Sequence, residues 1–307
     1  MKVLVSDPLA ESAVQEMKKA GLDVTVKTGL KPDALAEIIA PFEILAVRSG
    51  TKVTASVIEA AKNLKLIVRA GVGLDNIDAQ AAEKHCIRVE NTPHATTNTV
   101  AEHTLALMLS LARLIPQANA SLVRGEWDRK SFIGIELKGK TLGIVGFGRI
   151  GQEVAKRAKA FGMDVIANDH VINSEVAEAL EVEVLPLEKL VTQADFISLH
   201  LPLTTDTKHL FNATLLAKMK KGARLINASR GGIVDEAALA ESLKNGHLAG
   251  AALDVFEVEP PRDNPLLKMP QVVAMPHLGA STVEGQERAG SETAGVVIAF
   301  FKKQRHG

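Results

Sequence analysis

The first third of the chain alternates short apolar runs, rich in β-branched residues, with longer amphipathic stretches. The runs predict strands at residues 3–5, 24–26, 44–47, 66–68 and 87–89. Residues 11–20 and 33–40 lie between such runs and repeat their apolar positions with helical spacing. Strands that are apolar throughout and separated by helices are typical of a parallel sheet covered on both faces. This region therefore predicts a five-stranded α/β domain.

A long apolar helix is predicted over residues 99–114, where neither glycine nor proline interrupts the chain before Pro116. The segment is apolar on most sides, so we expect it to be buried. Two environments fit this pattern equally well: the core of a domain and the surface of a second subunit.

A second alternating series comes after this helix. Strands are predicted at residues 142–145, 165–168, 182–184, 196–199, 225–228, 251–253 and 272–274, with helices between most of them. Residues 282–303 have a helical pattern and lead into a basic tail that we expect to be frayed. The fold class that the pattern predicts is α/β, with two doubly wound parallel-sheet domains and a cleft between them.

Length and composition agree with two soluble globular domains. The chain has 307 residues, of which 46% are apolar, and its 36 basic side chains balance its 36 acidic ones. This balance gives no net field toward nucleic acid, and no apolar run approaches the roughly 18 residues of a membrane span. The single cysteine, Cys86, excludes an intrachain disulfide framework, and we expect a buried thiol. We therefore expect a cytoplasmic protein without nucleic-acid or membrane partners.

A glycine-rich motif lies between a predicted strand and a predicted helix, the context that a dinucleotide site needs. Its residues are Gly146, Gly148, Arg149, Ile150 and Gly151. The glycines allow a tight turn, close approach of a pyrophosphate and close packing of helix on strand, and the helix N-terminus favours anions. The next predicted strand ends at Asp169, whose carboxylate suits ribose hydroxyls and repels a 2′-phosphate. The motif predicts NAD as the cofactor, and no spacing typical of a metal site is present.

Polar side chains come after three of the last predicted strands. Arg230 follows residues 225–228, Asp254 ends the strand at 251–253 with Glu259 further on, and His277 follows residues 272–274. Ligands bind outside the carboxyl ends of strands in such sheets. A histidine can exchange a proton with an alcohol near neutral pH, a carboxylate can orient it, and an arginine suits an α-keto carboxylate.

Residues 227–235, 254–261 and 276–282 resemble the signature blocks of the D-isomer-specific 2-hydroxyacid dehydrogenases, and the similarity runs from end to end. The resemblance implies that His277 is the acid/base, Glu259 its carboxylate partner and Arg230 the substrate anchor. It implies that Asp254 holds the nicotinamide carboxamide. It also implies cofactor contacts from Val72, Leu201, Ala228, Ser229, Leu278, Gly279 and Ala280.

The chain is expected to cross between the two predicted domains near Asn98 and Ser281. We expect a discontinuous, flavodoxin-like substrate domain at residues 1–98 plus 281–307. We expect a Rossmann NAD domain at residues 99–280 that includes a dimerisation helix, and hence a homodimer.

Within the family the chain most resembles the branch that oxidises D-3-phosphoglycerate, the first step of serine biosynthesis, in a form without a regulatory domain. Residues 47–54, 69–78 and 127–132 carry this similarity. A phosphorylated substrate carries about three to four negative charges, which cations can neutralise. We predict substrate contacts from Arg48, Lys52, Arg69, Arg129 and Lys130, the last two across a dimer interface. Backbone N–H groups of Gly71 and Gly73 are predicted to be free for a carboxylate.

Two alternatives stay open. The loop at residues 91–97 departs from the usual family form and contains His94, so a glyoxylate or hydroxypyruvate reductase, or another D-2-hydroxyacid dehydrogenase, is the second interpretation. A more remote one is an NAD-sensing, corepressor-like binding protein without turnover. Substrate-dependent oxidation of NADH separates the enzymes from the binding protein.

Overall fold

The computed structural model describes residues 1–306. The chain divides into two compact units: Met1–Thr96 together with the part from Ala280 onward, and Thr97–Gly279. We call them the first and the second unit. Their boundaries lie within two residues of the predicted ones, and the roles predicted for the two domains stay predictions.

Strands and helices alternate along most of the chain. The strands are β1 (Lys2–Val5), β2 (Asp23–Val26), β3 (Ile44–Val47), β4 (Leu66–Arg69), β5 (Arg88–Asn91), β6 (Thr141–Val145), β7 (Asp164–Asn168), β8 (Glu183–Val184), β9 (Phe196–Leu199), β10 (Arg224–Asn227), β11 (Gly250–Leu253) and β12 (Val272–Ala274). The helices are α1 (Glu11–Lys19), α2 (Pro32–Ile38), α3 (Ala55–Ala60), α4 (Ala79–Lys84), α5 (Thr97–Arg113), α6 (Ile115–Val123), α7 (Arg149–Ala160), α8 (Ser174–Ala179), α9 (Leu187–Gln193), α10 (Ala213–Lys218), α11 (Glu236–Lys244) and α12 (Val283–His306).

The first unit is built on a parallel sheet of order β2-β1-β3-β4-β5. Successive residues of its strands point to opposite faces, and both faces are buried. One face packs against α1 and α12, where Ala294, Val297 and Phe301 join the core. The other face packs against α2, α3 and α4, through residues such as Leu35 and Val57. The predicted doubly wound α/β fold is confirmed for this unit.

The second unit is built on a parallel sheet of order β12-β11-β10-β9-β6-β7-β8. The chain runs outward from β6 to β8, returns to pair β9 with β6, and then runs outward to β12. This reversal makes the carboxyl ends of β6 and β9 a topological switch point, where such sheets bind ligands. Helices α5 and α7 pack on one face of the sheet, and α9, α10 and α11 pack on the other.

The predicted long apolar helix is present as α5, but it ends at Arg113, before Pro116. Leu114 adopts a left-handed conformation with φ of 54°, and α6 then leaves at 65° to α5. Pro116 lies in the first turn of α6, a position that needs no backbone N–H donor. Among residues 1–306 no single helix is long and apolar enough to span a membrane, although the bent α5–α6 pair meets that test of length and composition.

Two further expectations need correction. Cys86 is exposed rather than buried, because it lies in the left-handed turn after α4, with φ of 55°, and the next residue, Ile87, joins the core instead. The basic segment after residue 303, which we expected to be a frayed tail, is helical and continues α12 to His306.

Candidate active site

The glycine motif forms the turn between β6 and α7 at the topological switch point. Gly146 has φ of 97°, and a Cβ added to it would lie 2.4 Å from the carbonyl oxygen of His200 at the end of β9. A Cβ added to Gly151 would lie 2.2 Å from the carbonyl oxygen of Gly146. Both contacts are with backbone atoms, so these two positions require glycine to keep the strand, turn and helix this close.

The N-terminus of α7 fits a dinucleotide diphosphate. Gly148 is its N-cap residue, no side chain caps the helix, and a Cβ added to Gly148 would meet nothing within 4 Å. Arg149 and Ile150 lie in the first turn; Arg149 is exposed, whereas Ile150 packs against the core. Open space above an uncapped helix N-terminus, with its positive dipole end, is suited to a bound anion.

Asp169 directly follows β7 and lies against the glycine turn. One of its carboxylate oxygens accepts the N–H of Phe147 at 2.6 Å, and the other accepts the N–H of His170 at 2.7 Å. Its predicted contact with ribose hydroxyls stays a prediction. Other predicted cofactor residues of the second unit lie at strand ends: Leu201 just beyond β9, and Ala228 and Ser229 beyond β10.

His200, which we did not predict as part of the site, follows β9 at the switch point. Its Nε2 lies 2.8 Å from the hydroxyl oxygen of Ser198, and its buried Nδ1 has no hydrogen-bond partner among residues 1–306. Burial disfavours the charged imidazolium and lowers the pKa of His200 to about 4. The ring is therefore neutral at the pH at which NAD enzymes work.

The lowered pKa of His200 predicts acid destabilisation. An unfolded histidine has a pKa of about 6.5, so between that pH and about 4 the unfolded chain binds a proton that the folded chain does not. As pH is lowered through this window, the free energy of unfolding should decrease by up to about 1.4 kcal/mol per pH unit. Above about pH 6.5 the His200 ring should have no effect on it. His200→Gln should flatten the decline in denaturation midpoint between pH 7 and 5. The exposed His85→Gln should not, and equal slopes for both variants would contradict the assignment.

The three predicted catalytic side chains all belong to the second unit. β10, β11 and β12 are adjacent and parallel, with Asn227 beside Leu253 and Leu253 beside Ala274. Their carboxyl ends therefore lie side by side, and Arg230, Glu259 and His277 are all carried by the loops that leave this edge.

His277 and Glu259 are in direct contact. The Nδ1 atom of His277 lies 2.9 Å from Oε2 of Glu259, and Oε1 of Glu259 accepts the N–H of Phe256 at 3.2 Å. Partial burial alone would raise the pKa of Glu259, but the hydrogen bond and charge of His277, together with the Phe256 N–H, outweigh it and lower that pKa. Glu259 is thus a carboxylate at neutral pH. It holds Nδ1, which leaves the other ring nitrogen, Nε2, for proton transfer.

The Arg230 loop is held by Asn227, a second residue that the sequence did not reveal. The Asn227 side chain donates to the carbonyl of Arg230 at 2.8 Å and accepts from the N–H and hydroxyl of Ser229. The Arg230 guanidinium in turn donates to the Ser229 carbonyl at 2.6 Å. Beyond it, a Cβ added to Gly231 would lie 1.8 Å from the carbonyl oxygen of Phe256. The loops carrying Arg230 and Glu259 therefore touch backbone to backbone.

The Glu259 loop is also tied to the start of α11. The N–H of Glu236 donates to Glu257, the N–H of Glu257 donates to Glu236 at 2.6 Å, and the amide of Asn264 donates to Glu236. Burial, opposed in part by these hydrogen bonds, raises the pKa of Glu236. These bonds bracket Glu259 on both sides and limit the movement of its loop.

Asp254 is almost completely buried, with 1% of its surface exposed. Its two carboxylate oxygens accept the N–H groups of Leu278 and Gly279, each at 2.7 Å. Two of its observed partners are thus the residues that come directly after His277. Its predicted contact with the nicotinamide stays a prediction.

The predicted substrate cations of the first unit lie at strand ends. Arg48 follows β3, its N–H donates to Asp7 at 2.5 Å, and its carbonyl accepts the amide of Asn76 at 2.7 Å. Lys52 is exposed on the same loop, and Arg69 is the last residue of β4. Asp7 and Asn76, which fix the loop backbone, were not predicted.

The prediction that the N–H of Gly71 is free is wrong. This N–H donates to the buried hydroxyl of Thr92 at 2.7 Å, because β5 ends beside Gly71 and brings Thr92 against it. Gly71 has φ of 147°, and its missing side chain leaves room for the guanidinium of Arg69, which a Cβ would meet at 2.8 Å. Gly71 therefore serves the placement of Arg69.

The remaining predicted residues are divided between the two units. Gly73, Val72 and Ala280 belong to the first unit, and 38% of the Val72 surface is exposed. Arg129 and Lys130 belong to the second unit and are exposed in the segment after α6.

Comparison with known proteins gives consistent matches. Residues 105–279 match the family described as D-isomer specific 2-hydroxyacid dehydrogenase, NAD binding domain. A D-3-phosphoglycerate dehydrogenase of Methanocaldococcus jannaschii is 55% identical over 308 residues, covering 100% of this chain and 58% of the relative. A hydroxypyruvate reductase of Thermotoga maritima is 52% identical over 306 residues, covering 98% of each protein.

Solved structures agree with these matches. A D-lactate dehydrogenase from Aquifex aeolicus, in complex with NAD and lactic acid, superposes with a TM-score of 0.88 at 30% identity, covering 100% of this chain and 97% of that one. The chain spans little more than half the length of the Methanocaldococcus relative and almost the whole length of the Thermotoga one.

Proposed function

Because the chain belongs to the D-isomer-specific 2-hydroxyacid dehydrogenases, we propose that it oxidises D-3-phosphoglycerate to 3-phosphohydroxypyruvate, the reaction that begins serine biosynthesis. It is an NAD-dependent dehydrogenase. The observation that carries the proposed chemistry is the 2.9 Å contact between Nδ1 of His277 and Glu259, on loops that leave the same sheet edge as Arg230.

The proposed roles follow from the chemistry of each side chain. His277, held at Nδ1, takes the proton of the substrate C2 hydroxyl with Nε2, and Glu259 stabilises the imidazolium that results. The guanidinium of Arg230 binds the substrate carboxylate with two parallel N–H donors. The N-terminus of α7, Asp169 and the strand-end residues Leu201, Ala228 and Ser229 would hold NAD, which when bound accepts the hydride released from C2.

The choice of a phosphorylated substrate is supported by charge. Arg48, Lys52 and Arg69 follow or end neighbouring strands β3 and β4 of the first unit. Three cations match the charge of a phosphate better than that of a neutral hydroxymethyl group. The match to the Methanocaldococcus phosphoglycerate dehydrogenase supports the same substrate.

Substitution of these arginines should separate phosphorylated from unphosphorylated substrates. Arg48→Ala or Arg69→Ala should lower kcat/KM for D-3-phosphoglycerate by roughly 10–100-fold, because each removes a charged hydrogen-bond donor, and change that for D-glycerate by only about twofold. Lys27→Ala, which removes an exposed cation elsewhere in the first unit, is the matched control. Steady-state kinetics on both substrates measures the difference.

The hydroxypyruvate reductase of Thermotoga, matched over nearly its whole length, makes that reaction the second candidate. If wild-type kcat/KM is higher for hydroxypyruvate than for 3-phosphohydroxypyruvate, and Arg48→Ala leaves both unchanged, the second candidate replaces the first. NADH binding without turnover of any keto acid would instead indicate a corepressor-like protein.

We also propose that the protein acts as a homodimer in the cytoplasm. The support for the dimer is a run of exposed apolar side chains on α6 and the segment after it. Among them are Leu122, Val123, Trp127 and Ile133, which are 57–81% exposed. Several large apolar side chains exposed within one short stretch of chain favour a subunit interface there.

Sedimentation analysis tests the dimer. The wild type should sediment with twice the chain mass, and Val123→Glu should shift it to the monomer because a charge would then be buried in the interface. Leu267→Glu, at an apolar residue 45% exposed elsewhere in the second unit, should remain a dimer. A monomeric wild type at micromolar concentration would rule out this interface.

A further inference from the structure

The backbone of His277 has an unusual conformation. Its φ is 57°, in the left-handed region that residues with a Cβ rarely adopt. Such a conformation persists only where the surrounding contacts impose it. The site therefore needs a structural element that holds His277 in place, in addition to the Glu259 contact at the tip of its side chain.

The carboxylate of Asp254 supplies that restraint. It accepts the two N–H groups next along the chain from His277, those of Leu278 and Gly279, with one oxygen for each. Hydrogen bonds to a carboxylate are stronger than those between neutral groups. The two bonds fix the direction in which the chain leaves His277.

Asp254 is in turn contacted by His103, a residue of α5. This helix packs against β10, β11 and β12. The Nε2 atom of His103 lies 3.2 Å from Oδ1 of Asp254, and the His103 side chain is 18% exposed. The pair has the distance of an ion pair, but its angle is not that of a well-aligned hydrogen bond. Gly279 approaches the same ring: a Cβ added there would lie 3.9 Å from Cδ2 of His103.

A histidine is well suited to this position. Asp254 is 1% exposed, and a buried carboxylate is destabilised unless donors or positive charge surround it. An N–H at Nε2 of His103 would point its positive end toward Oδ1, whereas Val100 and Leu107, about one turn to either side on α5, are buried and apolar. An aliphatic residue at position 103 would put hydrocarbon where the ring nitrogen now lies 3.2 Å from the carboxylate.

We propose that His103 is a positioning residue for His277. Its ring holds the Asp254 carboxylate, the carboxylate holds the Leu278 and Gly279 N–H groups, and these keep His277 left-handed with Nδ1 on Glu259. The consequence for catalysis rests on the proposed role of His277 as acid/base. The positioning itself does not, because it is a property of the folded chain.

Three variants test the proposal in the full-length protein. His103→Leu keeps the volume and removes the ring donor, His103→Gln restores an N–H donor, and Glu102→Gln changes the neighbouring, exposed residue of α5 as a control. The first measurement is hydrogen exchange of the peptide covering residues 276–281. The second is kcat and KM for the 2-hydroxy acid, with NADH affinity by fluorescence titration.

We expect His103→Leu to speed exchange in residues 276–281 and to lower kcat by about 10-fold, as loss of an outer residue that orients a site group does at metal sites. KM and the Kd for NADH should stay within about twofold, since neither ligand is held by His103. His103→Gln should recover most of the lost kcat and exchange protection. Glu102→Gln should behave as the wild type.

The outcomes separate this proposal from the proposed function. If wild type turns over but His103→Leu shows normal exchange and normal kcat, the positioning role is overturned. If His103→Leu weakens NADH binding and leaves kcat unchanged, Asp254 acts on the cofactor and the proposal is also overturned. If exchange changes as expected in a protein that oxidises no 2-hydroxy acid, the positioning stands and the proposed function fails.

Discussion

His277→Ala should lower kcat by roughly 10²–10⁴-fold, the usual contribution of a positioned acid/base. The variant loses the group that takes the substrate proton, and Glu259 loses the partner that lowers its pKa. Affinity for NADH should change little, because the diphosphate is assigned to the turn at Gly146–Gly151 and not to this loop. Pre-steady-state and steady-state rates with 3-phosphoglycerate measure the loss.

Two comparisons make this result specific. Glu259→Gln keeps a hydrogen-bond acceptor for Nδ1 but no charge, so its kcat should lie between those of wild type and His277→Ala. His85→Ala removes an exposed histidine in the first unit and should have normal kcat. A His277→Ala variant with near-normal kcat would remove His277 from the chemistry.

Gly231→Ala should reduce kcat/KM by roughly 10²-fold, because displacing catalytic groups by about 1 Å has effects of this size. The new Cβ would lie 1.8 Å from the Phe256 carbonyl oxygen and 2.9 Å from the backbone nitrogen of Glu257. Since backbone atoms cannot rotate away, the loops of Arg230 and Glu259 must separate. Overpacking should also destabilise the fold by about 1–3 kcal/mol.

Gly295→Ala provides the matched control for Gly231→Ala. It adds the same methyl group in α12, where a Cβ meets nothing within 4 Å, and should leave activity unchanged and slightly raise stability. Activity of Gly231→Ala is measured well below its melting temperature, so that loss of folded protein is not mistaken for loss of rate. If this variant keeps wild-type kcat/KM, the close contact of the two loops is not needed for the reaction.

Burial explains which elements could be predicted from sequence. Predicted strands 44–47, 196–199 and 272–274 coincide with β3, β9 and β12, and the first two are buried on both faces. The strand predicted at 87–89 is shifted in the structure, where β5 spans Arg88–Asn91. It is a partly exposed edge strand, so the apolar pattern marks its ends poorly. Similarly, Pro116 marked the end of α5 only approximately, since Leu114 makes the turn.

The candidate site was predictable where it depends on strand order. Parallel strands place the residues just beyond their carboxyl ends at one edge, so Arg230, Asp254 and His277 could be grouped without a structure. The contact of Glu259 with His277 depends on the path of an irregular loop, which no periodic pattern encodes. The roles of His103 and Asn227 depend on tertiary contacts: His103 lies against Asp254, and Asn227 hydrogen-bonds to the Arg230 loop. The bond from Gly71 to Thr92 likewise depends on tertiary structure that residue types alone do not reveal.

The position of α12 has a consequence for synthesis on the ribosome. The first unit begins the chain, yet Ala294, Val297 and Phe301 of α12 complete one face of its sheet against Val3, Val5 and Ile44. Chains are made from the N-terminus, and domains fold as units. The strands of the first unit are therefore translated long before their cover, while the second unit, continuous in sequence, can fold as it emerges. Until α12 has left the ribosome, we expect part of this apolar sheet face to stay uncovered in the nascent chain.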